Sequence, residues 1–273
     1  MAKQQKTSVH PSAIVHKSAS ISENVSIGPF CIIGEGVKIG PGCKLANNVI
    51  VEGDTAIGPN CTIHPFAGLG LPPQDLKYKG EKTGLTIGEN NVIREYVTIH
   101  RGSVGDGGRT VLGDNNFIMA YAHVAHDNLI GNHVIITNAA TLGGHVEVQD
   151  HAIIGGVVAV HQFTRIGSYS MTGGFSGIGQ DIPPYTMASG PRAKLYGLNL
   201  VGLRRHGFSR ETINELTRAY KILFRSKHTL KEAVKKIRED LPRSAEIETL
   251  LEFVLNSKRG ICRPSASKTA LPF

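Results

Sequence analysis

The 273-residue sequence predicts a mainly β protein, a left-handed parallel β-helix of hexapeptide repeats followed by a small α-helical C-terminal domain. Three observations point there. An aliphatic residue recurs every six positions, a small or β-branched residue stands two positions before it, and the period becomes helical beyond residue 190. Fixed-period self-similarity marks a solenoid, and a six-residue period belongs to the parallel β-helix class. The expected division is residues 1–190 for the β-helix and 191–273 for the helical domain.

The first run of the column is Val9, Val15, Ile21, Ile27, Ile33, Ile39, Leu45, Val51, Ile57, Ile63 and Leu69. It stops for Gly-Leu-Pro-Pro-Gln-Asp-Leu-Lys-Tyr at the start of segment 70–84, then resumes at Ile87, Ile93 and Ile99. A second interruption, 100–110, precedes a long run from Leu112 through Val124, Ile130, Leu142 and Val148 to Ile166. The register weakens at Thr172, recovers at Ile178 and ends at Pro183-Pro184. If three hexads make one triangular coil, residues 18 apart stack at roughly the 4.8 Å spacing of neighbouring strands. The two insertions then have to loop out of the prism, and loops on a regular scaffold usually bind something.

Past residue 190, Ile213, Leu216, Tyr220, Leu223 and Phe224 fall at helical spacing behind Ser209, a candidate N-cap. Thr229 followed by Glu232 reads as a capping box, and Ser244 opens another helix through Ile247, Leu250, Leu251, Val254 and Leu255. The tail after Gly260 reads as disordered.

Composition narrows the class. Tryptophan is absent, while 32 glycines suit a fold with frequent tight turns. Cys31, Cys43 and Cys61 occupy the small slot of the repeat and Cys262 stands alone, so the cysteines form no disulfide or zinc framework and point to a reducing compartment. No stretch reaches the ~18–20 apolar residues of a membrane span, and the first residues lack the apolar core of a signal peptide. The expectation is a cytoplasmic protein without stable membrane insertion. The net charge of +8 is uneven. From Arg192 onward 18 Lys/Arg face 8 Asp/Glu, whereas residues 1–191 carry 12 against 14. Such a split suits an acidic partner, or else a solvated basic helical face.

Seven of the twelve histidines lie between His100 and His161, most densely in Tyr121-Ala-His123-Val-Ala-His126-Asp127. Val124 belongs to the inward column, so His126 and Asp127 fall outward or at a corner. Histidine is the natural general base near neutral pH, and an adjacent carboxylate fixes its tautomer and raises its basicity. One coil beyond His126 comes Gly144, whose N–H could stabilise an oxyanion, and one coil further comes Gln162. Competing readings are a solvent-facing set of histidines and a zinc site built on His100, His123 and His126.

Taken together, Ala-His123-Val-Ala-His126-Asp127, Gly143-Gly144-His145, His161-Gln162-Phe163, Pro73-Gln74-Asp75-Leu76-Lys77-Tyr78, Thr98-Ile-His100-Arg101-Gly102 and Gly202-Leu-Arg204-Arg205-His-Gly-Phe208-Ser209-Arg210 resemble the UDP-N-acetylglucosamine O-acyltransferases. That family performs the acyl-carrier-protein-dependent first step of lipid A synthesis. The resemblance runs from about residue 8 to 260. It implies transfer of an (R)-3-hydroxyacyl chain to the 3-hydroxyl of UDP-N-acetylglucosamine. His126 would be the general base, Asp127 its orienter and Gly144 the oxyanion donor. Asp75 and Lys77 would hold the sugar nucleotide. His123, His145, Gln162, Asn199 and Arg205 would line the nucleotide and pantetheine groove, and Gly174 would limit acyl-chain length. The resemblance also implies a homotrimer with sites between subunits, no metal and no bound cofactor. Its acidic partner would be acyl carrier protein rather than nucleic acid. The chain departs from the family pattern at Val201, where many members carry an acid, and at Gly190-Pro191-Arg192-Ala193. Alternatives are the UDP-3-O-acylglucosamine N-acyltransferase, which carries a uridine-binding domain before its repeats, a γ-type carbonic anhydrase-like zinc protein, and a structural solenoid.

Overall fold

The computed structural model describes residues 6–105 and 107–264, which fold as a left-handed parallel β-helix with helices at its C-terminal end. Strands are mostly two residues long and gather into three sheets, with parallel pairing throughout except where Thr186–Ser189 meets Lys194–Leu198. Successive side chains on a strand point to opposite faces. The column residue therefore enters the prism while its predecessor faces out, as in Lys38–Ile39 and Lys44–Leu45. Ile63, Ile93, Ile118, Ile136 and Ile154 are all completely buried. Coil is joined to coil by backbone hydrogen bonds such as Ile135 N–H to Ala152 O at 3.0 Å and Thr137 N–H to Ile154 O at 3.0 Å.

The corners carry a feature absent from the aliphatic pattern. Three residues before most column positions, the backbone turns through φ near +60°, and the residue there is often not glycine: Asn24, Asn48, Asn60, Tyr96, Tyr121, Asp127, His145, Val157 and Phe163 are examples. Asparagine and aspartate tolerate this region because their short polar side chains bond locally. The rings gain instead from stacking along the axis. Phe66, Tyr96 and Tyr121 form one ladder at 4.9 Å steps, and His133, His151 and Tyr169 form another at 4.8 and 4.5 Å. Asn91 and Asn116, in small inward slots, are buried, and their side-chain oxygens accept from the backbone of the next coil. Asn91 Oδ1 accepts from Asn116 N–H at 2.9 Å, and Asn116 Oδ1 accepts from Val134 N–H at 2.7 Å.

Both insertions leave the prism without disturbing the column. Thr62 pairs with Val92 and Val92 with Phe117, so the chain skips ahead by more than one coil while inward positions stay aligned. The strands run further into the interruptions than the column suggests. Gly68–Leu71 extends the strand before the first, and Gly84–Ile87 the strand after it. Thr98–His100 and Arg109–Leu112 bracket the second, because Leu71 pairs with His100 and Gly84 with Arg109.

The prism also continues beyond the end of the aliphatic column. Thr172 does not break the coil. It is fully buried opposite Ile154, and its hydroxyl accepts the N–H of Gly155 at 3.1 Å. After Pro183-Pro184, Thr186–Ser189 adds a further parallel strand, and Lys194–Leu198 folds back on it. Four helices follow: α1 (Leu200–Arg205), α2 (Arg210–Arg225), α3 (Leu230–Asp240) and α4 (Ala245–Leu255). Ser209, Thr229 and Ser244 cap α2, α3 and α4 as expected, with the Thr229–Glu232 capping box formed in both directions. Leu203, Leu216, Ala219, Ile237, Leu250 and Leu251 make a second core. Arg165, on the prism, lies 4.4 Å from the Phe253 ring centroid and bonds Glu147 Oε2 at 2.9 Å, tying α4 to the sheet face.

The segment after Gly260 is a correction. Ile261 bridges to Asp181, Pro264 bridges to Leu195, and Cys262 is buried against the main core. Disorder was the expectation because this stretch has no period of its own, yet tertiary pairing orders it to residue 264. The remainder of the tail, 265–273, lies outside the described residues.

The column predicts its own energetics. Ile136→Ala should lower stability by about 2–5 kcal/mol, because a fully enclosed side chain leaves a cavity. Ile14→Ala, at a position 66% exposed, should change it by no more than about 0.5 kcal/mol. Urea denaturation midpoints of the two variants check both values.

Candidate active site

His126 and Asp127 occupy a corner turn, and the left-handed backbone at Asp127 (φ 57°) swings its carboxylate back beneath the imidazole. Asp127 Oδ2 accepts from His126 Nδ1 at 2.8 Å. A carboxylate only accepts, so the hydrogen resides on Nδ1 and the Nε2 lone pair is left for chemistry. The ring is 14% exposed and the carboxylate 2%. Asp127 N–H donates to Thr110 Oγ1 at 2.9 Å, and Ser103 donates both N–H and Oγ–H to Asp127 Oδ2 at 2.9 Å.

One coil further along, the backbone of Gly144 passes directly over this ring. A Cβ added there would meet His126 Cε1 at 2.6 Å and Nε2 at 2.8 Å, so only glycine leaves the imidazole its position. The N–H of Gly144 has no acceptor among the described residues. A base and a free donor thus face one space, the requirement for deprotonating a nucleophile while receiving charge on a carbonyl oxygen. Asn128, in the inward slot beside them, fixes this backbone by donating Nδ2 to Gly143 O and Ala125 O, both at 2.9 Å.

Three further histidines stand close. The His145 ring is edge-on to His126 at 5.2 Å and stacks on Phe163 at 4.5 Å. His123 Nδ1 shares a 2.7 Å hydrogen bond with Thr98 Oγ1, and its ring meets His100 edge-on at 4.9 Å. Burial, then the neighbouring His123, His126 and Arg101 charges, push His100 down to about 4. Burial and the His126 charge lower His123 as well. Both rings are therefore neutral near pH 7.

The remaining expected site residues lie further out. Gln162 is exposed on the same stripe as His126 and Gly144. Asp75 and Lys77 lie in the first insertion, where Asp75 Oδ1 accepts the N–H of Lys77 at 2.9 Å. No hydrogen bond or ion pair joins either to His126 among the described residues. Asn199 is 5% exposed and spent on structure, accepting from Gly202 N–H at the start of α1 and donating to Tyr169 O at 3.0 Å. Arg205 is exposed in the last turn of α1. Gly174 belongs to a different corner, where a Cβ would lie 3.2 Å from Gly156 O.

Some participants were invisible in the periodic pattern. Ser103 reaches Asp127 from the second insertion with no spacing to announce it, whereas Thr110 holds the small slot two positions before Leu112 and takes the Asp127 N–H. Arg101 bridges the two insertions, donating to Tyr78 Oη at 3.0 Å and to Gly70 O at 3.0 Å. Among the described residues the set brought together for a cation is His126, Asp127 and His145, whose ligand atoms lie within 4.8 Å of one another, rather than the His100, His123 and His126 of the competing zinc reading.

Comparisons with known proteins agree on one family. A family model described as Udp N-acetylglucosamine O-acyltransferase, Domain 2, matches residues 181–262, and one described as bacterial transferase hexapeptide matches residues 6–46 and 36–70. The chain is 65% identical over 255 residues to the acyl-[acyl-carrier-protein]–UDP-N-acetylglucosamine O-acyltransferase of Thermodesulfovibrio yellowstonii, covering 93% of this chain and 99% of that one. It is 50% identical over 256 residues to the enzyme of the same name from Syntrophobacter fumaroxidans, with coverage of 93% and 99%. Among solved structures, LpxA from Acinetobacter baumannii matches with a TM-score of 0.91 at 47% identity, covering 93% of this chain and 99% of that one. The UDP-N-acetylglucosamine acyltransferase of Bacteroides fragilis matches with 0.92 at 44%, covering 94% and 100%.

Two outcomes follow from the geometry. Gly144→Ala should push the His126 ring aside and lower turnover by roughly 10-fold or more, the cost of a small misplacement of reacting groups, with an unchanged far-ultraviolet circular dichroism spectrum. His100, unfolded, titrates near its ordinary value and, folded, near 4. Between those values the unfolded chain binds more protons, so stability falls as pH drops from about 6.5 to 4, by up to about 3 kcal/mol from this residue. His100→Gln should flatten that part of a thermal-stability profile against pH.

Proposed function

The chain belongs to the UDP-N-acetylglucosamine O-acyltransferases, and on that premise we propose that His126, Asp127 and Gly144 carry its reaction. It transfers an acyl chain from acyl carrier protein to UDP-N-acetylglucosamine, the first step of lipid A synthesis. In the proposed mechanism, His126 Nε2 removes the proton of the glucosamine 3-hydroxyl as that oxygen attacks the thioester carbon of an (R)-3-hydroxyacyl chain. Charge develops on the thioester oxygen, and the Gly144 N–H receives it. Collapse breaks the carbon–sulfur bond. The proton held on His126 passes to the leaving thiolate, so the products are an ester and a free carrier thiol. Asp127 holds the imidazole in one tautomer and balances the imidazolium that forms transiently. Positioning of both substrates supplies much of the remaining rate. The observation that carries this reading is the packing of the Gly144 backbone on the His126 ring, which puts base and donor around a single reacting centre.

The other residues take places around that centre. Asp75 and Lys77 hold the sugar nucleotide, and His123, His145 and Gln162 line the groove beside it. Arg205 and α1, whose start Asn199 fixes, complete the nucleotide side, and Gly174 limits the acyl chain. The enzyme works as a homotrimer with each site between subunits. In such an arrangement Asp75 and Lys77 need not meet His126 of their own chain. The basic helical region receives the acidic acyl carrier protein. No helix among the described residues is long and apolar enough to cross a membrane, and the proposed location is the cytoplasm.

His126→Ala should lower turnover by roughly 10²–10⁴-fold, the usual worth of general-base catalysis. The assay uses acyl carrier proteins loaded with chains of varied length, against UDP-N-acetylglucosamine and its 3-amino analogue. Near-normal turnover in the purified variant would remove His126 from the mechanism.

A further inference from the structure

We infer that Ser103, in the second insertion, is a positioning residue for the acyl transfer: it locks the Asp127 carboxylate and, through it, the ring of His126. The inference rests on the reading of His126 as the base. Asp127 Oδ2 is one acceptor shared by three donors, His126 Nδ1–H at 2.8 Å and the N–H and Oγ–H of Ser103, each at 2.9 Å. Ser103 is 3% exposed and the Asp127 side chain 2%, so water is poorly placed to replace either bond. A buried carboxylate with fewer donors would be free to rotate, and the imidazole hydrogen-bonded to it would turn with it.

The surrounding loop is built to make that contact. Gly102 N–H donates to Gly84 O at 3.0 Å, and a Cβ on Gly102 would come within 2.6 Å of Asp127 Oδ1. Glycine at 102 is therefore what lets the chain pass close enough for serine at 103 to reach the carboxylate with both donors. Just before them, Arg101 is pinned by Gly70 O and Tyr78 Oη, both in or beside the first insertion. The two interruptions of the repeat thus meet at Arg101, immediately behind the Asp127 clamp. The insertion that begins beyond His100 has a task the periodic scaffold cannot perform: it supplies donors to a corner carboxylate that the coils leave open.

A kinetic cycle on the full-length enzyme tests this, using acyl carrier protein thioester and UDP-N-acetylglucosamine with Ser103→Ala, Ser103→Thr, His126→Ala and the Ser103→Ala/His126→Ala pair. Ser103→Ala should lower kcat roughly 10- to 100-fold, the worth of a hydrogen bond to a charged group, with KM for both substrates changed by less than about 2-fold. Ser103→Thr, which keeps the hydroxyl, should restore most of the loss. In the His126→Ala background the serine substitution should cost nothing more, because Ser103 acts only through that ring. A kcat for Ser103→Ala near the parent value overturns the inference, and so does an equal further loss in the His126→Ala background. If the alanine protein lacks the parent's thermal transition, Ser103→Cys replaces it, similar in shape but a weak donor. Its kcat should lie well below that of serine, and a serine-like value overturns the inference. Activity retained by His126→Ala alone defeats the general-base reading instead, so the two failures are distinguishable.

Discussion

Everything in this molecule depends on one constraint: each coil must hydrogen-bond to the next while presenting its aliphatic residue inward. The backbone of one turn finds most of its acceptors on the neighbouring turn, as Ile135 does on Ala152. A coil with its inner face unstacked would expose both apolar surface and unpaired amides. Register is thereby imposed over the whole prism, and sequence distance becomes axial distance. His126 and Gly144 meet for that reason alone. The candidate site is a product of stacking: two ordinary turn positions, one coil apart, bring an imidazole against a backbone N–H.

The same constraint explains how polar groups survive inside or against the prism. Asn91, Asn116 and Asn128 occupy inward slots because their amides bond the backbone of adjacent coils. Thr172 replaces an aliphatic residue because its hydroxyl takes a neighbouring N–H. The corner at Asp127 is different, since among the hydrogen bonds that the described residues make to its nearly buried carboxylate the coil supplies His126 alone. Its donors arrive from a segment that leaves the repeat. Burial is also what keeps His100 and His123 neutral beside His126, so several imidazoles share a small volume without mutual repulsion.

Much of this was legible in the chain. The column named its inward residues one by one, and Ser209, Thr229 and Ser244 announced helix starts because a cap is a local bond between residues three apart. His126, Asp127 and Gly144 stood out by the same arithmetic of stacked coils. The rest was not legible, and for physical reasons. Thr172 looked like a failure of register because polarity alone cannot reveal a hydrogen bond to Gly155. Ile261 and Pro264 looked unstructured because their partners, Asp181 and Leu195, lie far back in the chain. The left-handed corners could have been noticed from Asn24, Asn48 and Asn60, which share one phase of the repeat. The aromatic and histidine members of that phase disguised it.

The prism, its inward face, the helical end and the alignment of His126 with Gly144 can all be read from the chain, because each follows from a short period or from bonds between near neighbours. How that imidazole is held emerges only once the chain is folded. The landing of Ser103 on Asp127, the tie from Arg101 to Tyr78 and the use of Asn199 as a cap depend on where irregular segments come to rest. Irregular segments carry no period, and their contacts are set by the shape of the surface they fall upon.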